Sequence, residues 1–229
     1  MATSKYRHEL KIEVSLFEYM SIRSKLDLMM KLDEHCGEGG QYSINSLYFD
    51  NVYDKALNEK IHGVSKREKF RLRYYDDNTE FIRLEKKQKV NGLCLKTSCP
   101  IAYEDVIRII DGNYGFLKNE EEPLAQELAF KMETQGLRPK NVVRYDRRAY
   151  IYPYGNVRVT FDMNIAAGLS PKDFLVGEQT LIHNEGNDAS IIMEVKYDEF
   201  IPSFIENIIN EKQGRVQAFS KYANCRRYI

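Results

Sequence analysis

Arginine and lysine recur at every second position in several short runs of this chain. In Lys69-Phe70-Arg71-Leu72-Arg73-Tyr74, three cations alternate with Phe70, Leu72 and Tyr74. In Ile82-Arg83-Leu84-Glu85-Lys86-Lys87, the set Arg83, Glu85 and Lys87 alternates with Ile82 and Leu84. Arg7, Glu9, Lys11 and Glu13 share one spacing, and Val157-Arg158-Val159-Thr160-Phe161-Asp162 and Met193-Glu194-Val195-Lys196 repeat the pattern. Side chains of a strand point alternately to its two faces. Each run therefore predicts a strand with one apolar face and one charged face rich in cations. A sheet curled with these faces inward would make a cationic tunnel suited to a polyanion such as a phosphate chain. One chemistry such a tunnel would suit is phosphoryl transfer, which needs phosphates held in line and the charge on their oxygens neutralised. Guanidinium offers phosphate a planar fork and ammonium a point charge. Arg71 and Arg73 then read as clamps on successive phosphates. The alternative is a solvated, salt-bridged face, and the same alternation at Lys87, Arg147 and Arg158 argues against it.

The acids between the cations admit two readings. Glu194, set between Met193 and Val195, reads as a ligand for a hard divalent cation such as Mn²⁺ or Mg²⁺, completed by substrate phosphates. It could instead be a buried partner of Lys196 or an arginine. Glu9, Glu85 and Asp162 pose the same choice, because so many like charges cannot sit close together unpaired. Other chemistries find no support. His8, His35, His62 and His183 lack metal-ligand spacing, and Cys36, Cys94, Cys99 and Cys225 form no CxxC pair and read as reduced structural thiols. Gly37-Glu38-Gly39-Gly40 reads as a helix stop, not a phosphate loop.

The elements that position these residues follow from periodicity. Tyr6–Val14, Tyr42–Phe49, Glu68–Tyr75, Phe81–Gln88, Leu93–Cys99, Lys140–Tyr152, Val157–Asp162 and Ile191–Tyr197 are predicted strands. Turn chemistry at Asp76-Asp77-Asn78 and Asn91-Gly92 makes the third to fifth of these antiparallel. Ser15, with Glu18 three residues on, is a capping box opening a helix predicted over Leu16–His35. Further helices are predicted over Tyr53–His62, Tyr103–Ile110, Leu124–Gln135, Pro202–Glu211 and Ser220–Arg227, and 168–187 reads as a loop. Strands joined by hairpins and crossed by helices indicate α+β, with strands long enough to close a barrel.

The chain has 229 residues, 34 basic and 34 acidic, and its hydrophobic fraction of 43% is enough for one substantial core. One domain spanning 1–229 is expected. A formal charge of zero argues against broad nucleic-acid binding. No signal-like N-terminus and no apolar run near the ~20 residues that span a bilayer is present, so a cytoplasmic chain without membrane insertion is expected.

The order Arg7-x-Glu9-x-Lys11, Ser46-Leu47-Tyr48-Phe49-Asp50, Lys69-Phe70-Arg71-Leu72-Arg73, Leu84-Glu85-Lys86-Lys87, Tyr145-x-Arg147, Arg158-Val159-Thr160-Phe161-Asp162, Met193-Glu194-Val195-Lys196 and Phe219-Ser220-Lys221-Tyr222 resembles the VTC (vacuolar transporter chaperone) catalytic domain. That family belongs to the triphosphate tunnel metalloenzymes, related to the CYTH phosphatases. The resemblance spans Tyr6 to Tyr222 and implies a closed antiparallel β-barrel with helices outside. It implies a polyphosphate polymerase that transfers the terminal phosphate of ATP to a growing chain with a divalent metal. Hydrolysis of a nucleoside triphosphate or tripolyphosphate, or polyphosphate binding alone, are the alternatives. By position, Lys11, Arg71, Arg73, Lys87, Lys96, Arg147 and Lys221 would cradle phosphates. Tyr145 and Ser220 would add hydroxyl donors, and Glu194 would hold the metal, with Glu85 and Glu9 as further candidates. Arg7, Lys69, Arg158 and Lys196 extend the phosphate-binding set through the alternation. Lys60 stands where eukaryotic polymerases carry Arg, and Lys89 where they carry His. Eukaryotic members also carry an SPX domain and membrane helices; neither is seen in these residues.

Overall fold

The computed structural model describes residues 6–176, 181–183, 191–210 and 221–225. Ten strands are described: β1 (His8–Val14), β2 (Lys31–Leu32), β3 (Tyr42–Asp50), β4 (Lys66–Tyr75), β5 (Asn78–Val90), β6 (Leu93–Pro100), β7 (Arg138–Tyr152), β8 (Val157–Gly168), β9 (Leu181–His183) and β10 (Ile191–Tyr197). The helices are α1 (Leu16–Met29), α2 (Lys55–Ile61), α3 (Tyr103–Ile110), α4 (Pro123–Thr134), α5 (Ser203–Asn210) and α6 (Lys221–Cys225). All strands join one antiparallel sheet in the order β1-β10-β8-β7-β3-β4-β5-β6, with β2 added to β7 and β9 to β8. The α+β class is as expected.

The closed barrel is not. β1 gives one edge wholly to β10, from His8 opposite Tyr197 to Val14 opposite Ile191. Its other edge meets β6 at a single backbone pair, where Arg7 and Cys94 exchange amide-to-carbonyl bonds of 3.0 Å. Beyond that pair the join between the sheet's two ends passes through side chains, such as Lys87 Nζ donating to Glu9 at 2.6 Å.

Alternation decides which face goes where. The apolar faces point outward and are covered by helices. Ile12, Val14, Val159, Phe161, Met193 and Val195 pack under α1 and α5 through Tyr19, Ile22, Leu26, Ile205 and Ile209. Leu47, Phe49, Phe70, Leu72, Ile82 and Leu84 pack under α3 and α4 through Val106, Ile109, Leu128 and Met132. The charged faces turn inward, and there a third cluster forms, in which Tyr222 and Cys225 of α6 meet Tyr42, Ile44, Tyr48, Val143 and Tyr145.

Ser15 caps α1 as predicted: its hydroxyl accepts from the Glu18 amide, and the Glu18 carboxylate accepts from the Ser15 amide at 2.7 Å. The helix nonetheless ends at Met29, six residues before His35. Met30 turns extended, and Lys31 and Leu32 find strand partners in Ile151 and Tyr150 of β7. β8 runs to Gly168, beyond the predicted end at Asp162, because the fifteen-residue β7 supplies partners along its length. α2 starts two residues later than expected; the Asn51 side chain accepts from the amides of Tyr53 and Lys55, and Asp50 accepts from Ala56. Within 168–187, the described residues form a short 3-10 turn at Pro171–Leu175 and strand β9.

Candidate functional site

The curl of the sheet leaves a cavity of about 300 Å³ on its inner face. Six of the seven residues expected to cradle phosphates line it: Lys11, Arg71, Arg73, Lys87, Arg147 and Lys221. Lys60, Lys69, Lys89, Tyr145 and Lys196 line it too, as do two of the three expected metal ligands, Glu9 and Glu194. Eleven cations face three carboxylates on its wall, Arg67 and Glu68 included. Even with Glu85 and Asp162 counted behind the wall, the surplus is six.

Register explains the surplus. Arg67 lies directly opposite Lys89, and Lys69 opposite Lys87, which in turn faces Lys96. Like charges placed directly across a sheet destabilise it, so these rows are held at a cost that an anion between them would relieve. The carboxylates present are already engaged. Glu85 holds Arg71 through Nε and Nη2 at 2.7 and 2.6 Å and accepts from Lys96 at 3.1 Å. Asp162 takes Arg147 in a two-bond fork at 2.6 and 2.9 Å and also pairs with Lys221. Glu194 bridges Lys11 at 2.9 Å and Lys196 at 2.6 Å, and Glu9 joins Lys87 and, at 3.4 Å, Lys11.

These pairings set the protonation states. Burial pushes Glu194 up, but Lys11, Lys196, Lys87 and Lys221 outweigh it and hold the carboxyl well below the usual range. Glu9 is likewise lowered by Lys11, Lys87 and Lys196 against burial and the nearby Glu194. Burial raises Asp162, yet Arg147 and Lys221 bring it down to about 2. Burial lowers Lys69 to about 8, with Lys11, Lys87 and Arg71 adding to the effect. Lys196 falls to about 8 by burial in spite of Glu194.

Four expected residues lie elsewhere. Arg7 is held outside by Asp198, at 2.8 Å, and by the Asn156 carbonyl. Arg158 shares the inward face but is drawn to Asp33 at 2.6 Å and the Tyr42 hydroxyl at 3.0 Å. Lys96 is turned to Glu85 and is off the cavity wall, and Glu85 itself sits behind the wall among Arg71, Arg73 and Lys96 as their counter-charge. Ser220 lies outside the described residues. Tyr48, Arg67 and Tyr222 were missed. Arg67 continues the Lys69, Arg71 alternation by one step and could have been found; the two tyrosines carry no charge signal. All four cysteines are free thiols. Among the described residues, no group of three or more His, Cys, Asp or Glu side chains converges to hold a metal, and no helix is long and apolar enough to cross a membrane.

An antiparallel sheet curled around a cation-lined cavity, with α1, α3, α4 and α5 on its outer face and α6 against its inner face, defines the class of fold. The chain belongs to the VTC domain family, whose model matches residues 6–229. Among solved structures the fold is similar to that of HpAC1 from Hippeastrum, an adenylyl cyclase candidate with a dominant triphosphatase activity (TM-score 0.62, 14% identity, 97% of this chain and 96% of that one). It is also similar to an adenylate cyclase candidate from Bacillus halodurans (TM-score 0.52, 13% identity, 91% and 88%). A third similar fold is the PH1819 protein of Pyrococcus horikoshii OT3 (TM-score 0.50, 14% identity, 98% and 100%). Comparison with curated proteins returns no match.

Proposed function

We propose that the cavity is the active site of a metal-dependent polyphosphate polymerase, which moves the γ-phosphate of ATP or another nucleoside triphosphate onto a growing polyphosphate chain. In that reaction a terminal oxygen of the chain forms the new bond to the γ-phosphorus. The bond to the bridging oxygen breaks, and the nucleoside diphosphate leaves with that electron pair. The surplus of cations over carboxylates in one cavity supports this reading, together with membership of the VTC domain family. Arg71, Arg73 and Arg147 are fixed by carboxylates and hydroxyls behind them, so they would meet phosphate without reorganising. Lys11, Lys87 and Lys221 would neutralise the charge that spreads over the oxygens in transfer.

The oxygen donors suit a hard divalent ion. Glu194 and Glu9 both reach the wall and both contact Lys11. One or two carboxylates completed by substrate phosphates is the usual Mg²⁺ arrangement. These two residues would hold Mn²⁺ or Mg²⁺, and the ion, when bound, supplies positive charge to the phosphate oxygens.

Hydrolysis of the same substrates is the second reading, favoured by the likeness to HpAC1 and its triphosphatase activity. It differs in using water as the acceptor. Incubation of the purified chain with ATP and Mn²⁺, with products resolved on a gel, separates the readings. A ladder of polyphosphate is expected. Nucleoside diphosphate and orthophosphate without a ladder would replace polymerase by hydrolase, and tight polyphosphate binding without turnover would leave a binding module.

A further inference from the structure

Tyr48 stands on β3, opposite Arg71 of β4 and Asn141 of β7. It is 5% exposed and lines the cavity. Its ring lies 5.2 Å from that of Tyr222, and Lys69 Nζ is 5.8 Å from its centroid. Its hydroxyl oxygen accepts a bond from Arg71 Nη1 at 3.1 Å. Glu85 grips the same guanidinium from the other side, so both the arginine and the phenol it holds are fixed. Arginine carries donors only. It cannot take the phenolic hydrogen, and no described residue accepts that hydrogen. The hydrogen is left for a group inside the cation-lined cavity that Tyr48 borders.

We propose that Tyr48 is a phosphate-binding residue, its hydroxyl oriented by Arg71 so that the phenolic hydrogen is donated to an oxygen of a bound triphosphate or polyphosphate. The proposal rests on the cavity being a phosphate site; the contact itself makes and breaks no covalent bond. One consequence is distinctive. Burial pushes the Tyr48 phenol up, but Arg71, Lys69 and Arg73 prevail and bring it down to about 7. Tyr222 is the titratable neighbour from α6; β7 presents the neutral Asn141 and α2 the apolar Ala56 and Leu57. A phosphate oxygen at the hydroxyl disfavours phenolate and favours the protonated donor. Above pH 7, binding should therefore return a proton to Tyr48.

The chain contains 16 tyrosines and no tryptophan, so tyrosinate absorbance can be followed without indole overlap. The whole chain, free of metal, would be titrated with tripolyphosphate at pH 8 while that absorbance is recorded, beside Tyr48→Phe, which keeps the ring. Wild type should lose tyrosinate signal on binding. Tyr48→Phe should lack that change and bind about tenfold more weakly at pH 6.5, as expected for loss of one hydrogen bond to a charged group. Wild type that binds beside a variant of unchanged affinity and unchanged signal overturns the role of Tyr48 alone. Wild type that binds no tripolyphosphate overturns the phosphate site as well. Should Tyr48→Phe fail to fold, wild type still decides: tyrosinate absorbance that is present at pH 8 before binding and stays constant on binding overturns the proposal.

Discussion

Arg147 and Asp162 face each other across β7 and β8, and two hydrogen bonds of 2.6 and 2.9 Å join the guanidinium to a carboxylate with no exposed surface. Lys221 of α6 meets the same carboxylate, so one acid ties the sheet to the helix that packs against its inner face. Removing one partner of a buried pair strands the other charge, at a cost of about 3–5 kcal/mol. Asp162→Ala should lower the urea unfolding midpoint by that equivalent at pH 7. A loss below about 1 kcal/mol would show that water readily replaces the carboxylate.

Glu194 and Arg71 should fail in different ways. Glu194→Gln keeps the shape and removes the charge that a hard cation requires. Turnover with Mn²⁺ should drop by a factor on the order of 10² or more, while metal-free binding of tripolyphosphate holds or tightens, because an anion has left the wall. Near-full activity in this variant would remove Glu194 from the metal.

Arg71→Ala deletes a clamp whose hydrogen bond to charged phosphate contributes about 1.5–3 kcal/mol. Binding and turnover should weaken together, and the salt dependence of binding should become shallower. Calorimetric titrations at two salt concentrations check this. Affinity equal to the parent would put Arg71 outside the phosphate path, as a partner for Glu85 only.

Without added phosphate, stability should respond to pH at both ends. Glu9, Glu85, Glu194 and Asp162 all have folded pKa values below their ordinary ones, so their stabilisation is complete above the ordinary carboxylate range. It is lost as pH falls from about 4.5 towards 2. Lys69 and Lys196 are depressed to about 8, so the folded state holds fewer protons than the unfolded chain above that pH. Stability should thus rise as pH climbs from 8 towards 10.5. Thermal melts across this range should show the rise without ligand, and saturating tripolyphosphate should flatten it by keeping both lysines charged. A melting temperature that falls steadily from pH 8 upward would contradict the lowering of Lys69 and Lys196 by burial.

Alternation in the sequence determined which face of each strand turns inward. A side chain's face depends only on whether its position is odd or even within the strand, so Lys69, Arg71 and Arg73 were legible together before any fold was known. The cap at Ser15 was legible for the same reason: its partner Glu18 is three residues away. Tertiary structure decided what those faces meet. Arg147 and Arg158 share a spacing pattern, but register gives Arg147 the acid opposite it, whereas Arg158 is captured by Asp33, 125 positions earlier in the chain. Glu85 became a counter-charge because β4 aligns Arg71 directly across from it. Tyr48 gained its place through Arg71 and Tyr222, one on a neighbouring strand and one near the end of the chain. Period sets orientation locally, but strand order, register and curl bring distant charges within a few ångströms, and those distances select which of the inward-facing groups share one cavity.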